Sequence, residues 1–136
     1  KLRQDSRVTV MERTNLRHLE RTQLAYAPEL VTVDVSFISL ALVLPAVRAL
    51  LAPESDVVAL VKPQFEVGKG RVGKGGIVRD PALHREALEQ VAAAARAERF
   101  SVRGVIASPI TGTDGNREFL LHLATYGSDG DLDFAI

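Results

Sequence analysis

No cysteine occurs in the 136 residues, so neither a disulfide nor a thiolate-ligated metal contributes to the fold. That absence suits a reducing, cytoplasmic setting. Neither sign of charge is in excess: 17 basic residues face 17 acidic ones, which excludes a surface that attracts nucleic acid over its whole extent. Any such binding must be local. Long hydrophobic runs are missing too. The longest, residues 37–47, contains Ser39 and Pro45 and falls short of the roughly 20 residues that a membrane-spanning helix needs. The opening KLRQDSRV has no apolar stretch of the kind that defines a secretion signal. With Lys1 in place of Met, the chain is expected to begin downstream of a natural start.

What is present is a chain with 46% hydrophobic residues, enough for one buried core. Residues 8–11 (VTVM) and 30–33 (LVTV) are short runs rich in β-branched residues and predict strands. Residues 37–51 predict a helix that Pro45 would kink unless it lies in the first turn. Residues 57–61 (VVALV) read as a parallel-sheet strand covered on both faces, ended by Lys62-Pro63. An amphipathic helix is predicted over 81–98, with Asp80 as its cap and Leu83, Ala87 and Val91 on its apolar stripe. Two further strands, 101–107 and 119–125, flank the turn signal Asp114-Gly115. The class is α/β: parallel strands ending in an antiparallel hairpin, flanked by helices.

The segment GKGRVGKGG (68–76) nearly spells a phosphate-binding loop. Gly75 stands where a magnesium-binding hydroxyl belongs, and the next helix signal is Asp80-Pro81, out of register with Lys74. A nucleotide site is therefore not expected. In α/β sheets ligands gather at the carboxyl ends of strands, which directs attention to Glu12–Asn15, Asp34 and Lys62. Asp34 and Lys62 end two successive predicted strands and should lie side by side.

Six blocks, ERTN (12–15), DVSFISL (34–40), LVKPQFEVGKG (60–70), GGIVRD (75–80), SPITG (108–112) and GNREFL (115–120), closely resemble the TlyA or hemolysin A family of FtsJ-like methyltransferases. The resemblance runs in order from residue 8 to about 125. It implies transfer of a methyl group from S-adenosylmethionine to ribose 2′-hydroxyls, with ribosomal RNA or a ribosomal subunit as partner and no obligatory metal. It implies a Lys-Asp-Lys-Glu catalytic set of which Asp34, Lys62 and Glu118 match the last three members, the first lying upstream. Asn15, Asp34 and Phe37 match positions bordering the cofactor. Residues 1–136 would form the C-terminal part of a Rossmann-like methyltransferase domain. Its glycine-rich cofactor motif, its first two strands and an S4 RNA-binding domain would lie outside the chain, which is expected to be inactive alone. Its unpaired sheet edge would invite dimerisation.

The chemistry asks for these residue types. A ribose hydroxyl must be aligned with the methyl group and lose its proton as the bond forms. Lys62 is suited to orienting the oxygen and stabilising its charge, or to taking the proton itself if held neutral; Asp34 and Glu118 would steady the ammonium. Lys69, Arg71, Lys74 and Arg79 make the glycine segment basic, as a loop that meets RNA phosphates would be. His18, His84 and His122 lack metal-like spacing, and the Asp129-Asp131-Asp133 tail lacks the rest of a calcium loop and reads as disordered. Two other functions compete: a membrane-active hemolysin built on residues 37–51, and a non-catalytic RNA-binding module.

Overall fold

Burial alternates along 56–61, with Val57, Ala59 and Val61 inside and Val58 and Leu60 half-buried, so the strand presents only one face to the core. The computed structural model describes every residue of the chain except the side chains of Lys69 and Thr113. Its sheet contains β1 (Leu30–Val33), β2 (Asp56–Val61), β3 (Ser101–Ala107) and β4 (Phe119–Ala124) in the order β1-β2-β4-β3. β1 and β2 are parallel, and β4 runs antiparallel to both its neighbours. The turn before β4 is built as its sequence predicts, with Asp114 and Gly115 both at positive φ (59° and 85°).

Helices α1 (Leu40–Leu50) and α2 (Pro81–Ala97) bury their apolar sides in the same core cluster as Val57, Val61, Phe119 and Leu121. Both therefore cover one face, and coverage of both faces, expected from the apolar run in β2, is not found among the described residues. α1 starts three residues later than expected. Phe37 has φ 63°, which no right-handed helix accommodates, and Ser39 caps the helix by accepting from the Ala41 amide at 3.1 Å. Pro45 lies inside the helix rather than in its first turn. An interior proline costs about 3 kcal/mol, whereas each fully buried Leu or Val returns about 1.5–3 kcal/mol. Leu40, Val43, Leu44 and Val47 are all buried, so packing outweighs the proline. α2 begins where Asp80 accepts from the Ala82 amide at 2.9 Å, well past Lys74, as the failed phosphate-loop register requires.

Two further expectations are overturned. Residues 8–11 form no strand: Val8, Val10 and Met11 are exposed, and no described strand offers them a ladder partner. β propensity without a neighbouring edge does not make a strand. The tail, expected to be disordered, is tied to β3. A register shift between Val102 and Gly104 frees backbone groups there: Val102 N donates to Asp129 at 2.9 Å and its carbonyl accepts from Gly130 N at 2.9 Å. Arg96 holds the same carboxylate, and the Val102 amide bond foremost keeps the Asp129 pKa low.

Candidate active site

Three strand ends converge on one edge of the sheet. β1 and β2 are parallel and in register, Val33 opposite Ala59, so Asp34 and Lys62 leave the sheet at the same edge. β4 is antiparallel to β2 with Phe119 opposite Val61, which sets Glu118 beside Lys62 where the chain enters β4. The expected juxtaposition is present: Lys62 Nζ lies 2.6 Å from Asp34 Oδ1 and donates to Ser36 Oγ at 3.1 Å. The lysine side chain is only 12% exposed, the Asp34 side chain 70%. The ammonium is thus mostly withdrawn from water while its counter-ion stays wet.

Lys62 and Glu118 line one cavity of about 800 Å³. Glu118 is buried at 8% exposure. A Cβ at Gly112 would collide with its carboxylate, so the glycine of SPITG makes room for that group. Glu66 fixes the loop carrying Asp34, Ser36 and Phe37. Its carboxylate accepts from Ser39 Oγ at 2.7 Å and from the Leu40 amide at 2.9 Å, closing the start of α1. Burial pushes the Glu66 pKa upward despite both bonds. Phe37 is 89% exposed, with its ring centroid 4.9 Å from that of Phe65 at the cavity. Phe37 thus presents an exposed aromatic face at the cavity, on the loop that also carries the Asp34 carboxylate paired with Lys62.

The glycine segment borders the same cavity through Val72, Gly75 and Gly76. It is fastened rather than free. Val78 N donates to Asn116 Oδ1 at 3.0 Å, Asn116 Nδ2 donates to the Gly76 carbonyl at 2.9 Å, and the Val78 carbonyl accepts from His84 Nε2 at 2.7 Å. Val67, Val78 and Ala87 form a small core of their own beneath it. Of the four basic residues expected to meet RNA, Arg71 is bonded through both guanidinium nitrogens to Glu86 of α2. Arg79 leans on the Lys74 carbonyl at 3.4 Å, and Lys74 has no ion pair among the described residues. The Lys69 side chain lies outside the described residues.

Asn15 is not brought to the cavity; it caps the turn Leu16–His18 by accepting from the Arg17 amide at 3.0 Å. Sequence reasoning passed over Ser36, Gln64 and Asn116, although all three stand within or beside the motif blocks, and it counted Glu66 only as a charge. Elsewhere, His122 pairs with Asp56 at 2.8 Å across β4 and β2, which holds the Asp56 pKa low. No group of three potential metal-binding side chains occurs among the described residues.

Comparison with known proteins matches residues 1–125 to the family model of the FtsJ-like methyltransferases. YqxC of Bacillus subtilis, a candidate rRNA methyltransferase by name, is 56% identical over 124 residues, covering 90% of this chain and 44% of that protein. The 16S/23S rRNA (cytidine-2′-O)-methyltransferase TlyA of Mycobacterium tuberculosis is 49% identical over 124 residues, 91% of this chain and 46% of that one. The chain thus spans about half the length of these relatives. The crystal structure of a candidate hemolysin from Lactococcus lactis superposes with a TM-score of 0.92 at 42% identity, over 97% of this chain and 65% of that one.

Proposed function

Because the chain belongs to the FtsJ-like methyltransferase family, we propose that it carries the catalytic edge of an S-adenosylmethionine-dependent enzyme that methylates ribose 2′-hydroxyls of ribosomal RNA. The observation that supports this most is Lys62, a largely buried ammonium held by Asp34 and Ser36 at a cavity that also holds Glu118. A ribose hydroxyl entering that cavity meets a donor that orients its oxygen and stabilises negative charge on it as the proton departs. Asp34 and Ser36 keep the ammonium from turning away, and Glu118 places a second carboxylate beside it. When bound, S-adenosylmethionine supplies an electrophilic methyl group on a positively charged sulfur. Asp34 and Phe37 would border it, the carboxylate complementing the charge and the ring offering an aromatic face.

In this reading residues 1–136 are the C-terminal part of the methyltransferase domain. A glycine-rich cofactor segment and an RNA-binding S4 domain would belong to the remainder of the full-length protein, which would work on ribosomes in the cytoplasm. The names of the TlyA relatives support the same substrate. One relative from Brachyspira hyodysenteriae bears the name Hemolysin A. Here, however, α1 packs its apolar side into the core, and no described helix is long and apolar enough to cross a membrane.

Replacing Lys62 by Ala in the full-length protein should reduce methyl transfer from labelled S-adenosylmethionine to ribosomal RNA by about 10²- to 10⁴-fold. RNA affinity should be largely kept. Transfer at the parent rate would reject the catalytic role of Lys62, and RNA binding without any transfer by the parent protein would leave an RNA-binding module in its place.

A further inference from the structure

Two stretches that leave neighbouring strand ends face each other, residues 34–40 after β1 and 62–67 after β2. The second is stiff. Phe65 N donates to the Lys62 carbonyl at 2.9 Å, and Glu66 N and Val67 N both donate to that of Pro63 at 3.0 Å, so the backbone of Glu66 is fixed relative to that of Lys62. The first is costly. Phe37, at φ 63°, holds a left-handed conformation that a bulky side chain resists, and such a conformation lasts only where neighbours impose it.

Neighbours grip this stretch at both ends. At the near end Lys62 Nζ meets Asp34 Oδ1 at 2.6 Å and Ser36 Oγ at 3.1 Å, but the carboxylate is 70% exposed and water competes for it. At the far end the partly buried Glu66 carboxylate accepts from the Ser39 hydroxyl on one oxygen and from the Leu40 amide on the other. Both bonds are charge-assisted and shielded, which makes this the firmer attachment. The contact of the Phe37 and Phe65 rings lies between the two. Glu66 itself does not line the cavity, so any influence on the reaction passes through the groups it holds.

We propose that Glu66 is a positioning residue of methyl transfer: by anchoring residues 34–40 to the segment that carries Lys62, its carboxylate keeps Asp34 and Ser36 on the ammonium and the ammonium aimed into the cavity. The inference rests on the methyl-transfer reading above and extends it to a residue remote from the reacting atoms.

The test uses the full-length protein with labelled S-adenosylmethionine and ribosomal RNA. Glu66→Ala should lower kcat by about 10- to 100-fold. KM for the RNA should change little, because the freed loop positions the lysine rather than the RNA. Glu66→Gln, which keeps an oxygen for the Leu40 amide, should recover most of the parent's kcat. A second readout needs no activity. Acetylation of Lys62 by acetic anhydride, followed by peptide mass spectrometry, should be faster in Glu66→Ala than in the parent, with the exposed Lys74 unchanged as a control. A residue that only closes the start of α1 would lower the melting temperature without moving either readout in folded protein. Parental kcat in folded Glu66→Ala, no recovery in Glu66→Gln, or unaltered acetylation of Lys62 would therefore overturn the proposal. Should Glu66→Ala fail to fold, Ser39→Ala, which removes one of the two bonds, takes its place, and parental kcat or unaltered acetylation there would overturn it as well. No transfer by the parent protein would instead remove the methyl-transfer reading, and the inference with it.

Discussion

At the scale of single residues, the site depends on groups held against their solvation preference. Glu66 is the clearest case. Its carboxylate closes the start of α1, yet burial raises its pKa above the ordinary 4.5. The folded state therefore binds the proton more tightly than the unfolded chain does. The stability this contributes is complete below the unfolded value and is lost as pH rises through the raised folded value. Replacing Glu66 by Gln removes the titration. Relative to the Glu66→Gln protein, the parent should lose stability as pH climbs from about 4 towards neutrality, as read from urea midpoints. A difference between the two that stays flat over that range would show that the carboxylate is not titrating in the fold. Nothing near Glu66 in the sequence announces this role, because its partners Ser39 and Leu40 lie 27 and 26 residues away.

At the scale of elements, strands and helices were legible where a local pattern and a tertiary neighbour agreed. β2, β4 and α2 fall within a residue or two of their predicted spans, because alternation, apolar stripe and the Asp80 cap coincide with real packing partners. Residues 8–11 carried the pattern without the neighbour, and the tail had the neighbour without the pattern. Asp34, Lys62 and Glu118 were legible through their motif blocks, and the sheet's register then explains why they meet. The glycine segment was half legible: its charge is visible in sequence, but the engagement of Arg71 with Glu86 is not. That difference can be measured. Lys74→Ala in the full-length protein should flatten the salt dependence of RNA binding by about one unit of slope. Arg71→Ala should change it less, since its charge is already matched. Identical slopes for Lys74→Ala and the parent protein would exclude phosphate contact by this loop.

At the scale of the whole molecule, the dominant fact is a sheet that the described residues of this chain cover on one face. Val58 and Leu60 of β2, Ile106 of β3 and Leu120 of β4 look away from α1 and α2, and β1 ends the sheet with Leu30 at 64% exposure. A half-apolar face beside an unpaired edge favours association. The 136-residue chain by itself should therefore self-associate with rising concentration in sedimentation experiments, and Leu30→Lys should shift it towards monomer. A chain that stays monomeric at all attainable concentrations would contradict this.

The strand order also sets a timetable. β4 is the last of these four strands to leave the ribosome, yet it occupies an interior place between β2 and β3. Until it emerges, both of those strands have an open edge and nothing bridges them. Folding of this region cannot proceed strand by strand as the chain is synthesised; it must wait for a late insertion that joins distant segments. Glu118 stands directly before that strand, so the proposed catalytic edge is completed only by the same closing event that makes the sheet continuous.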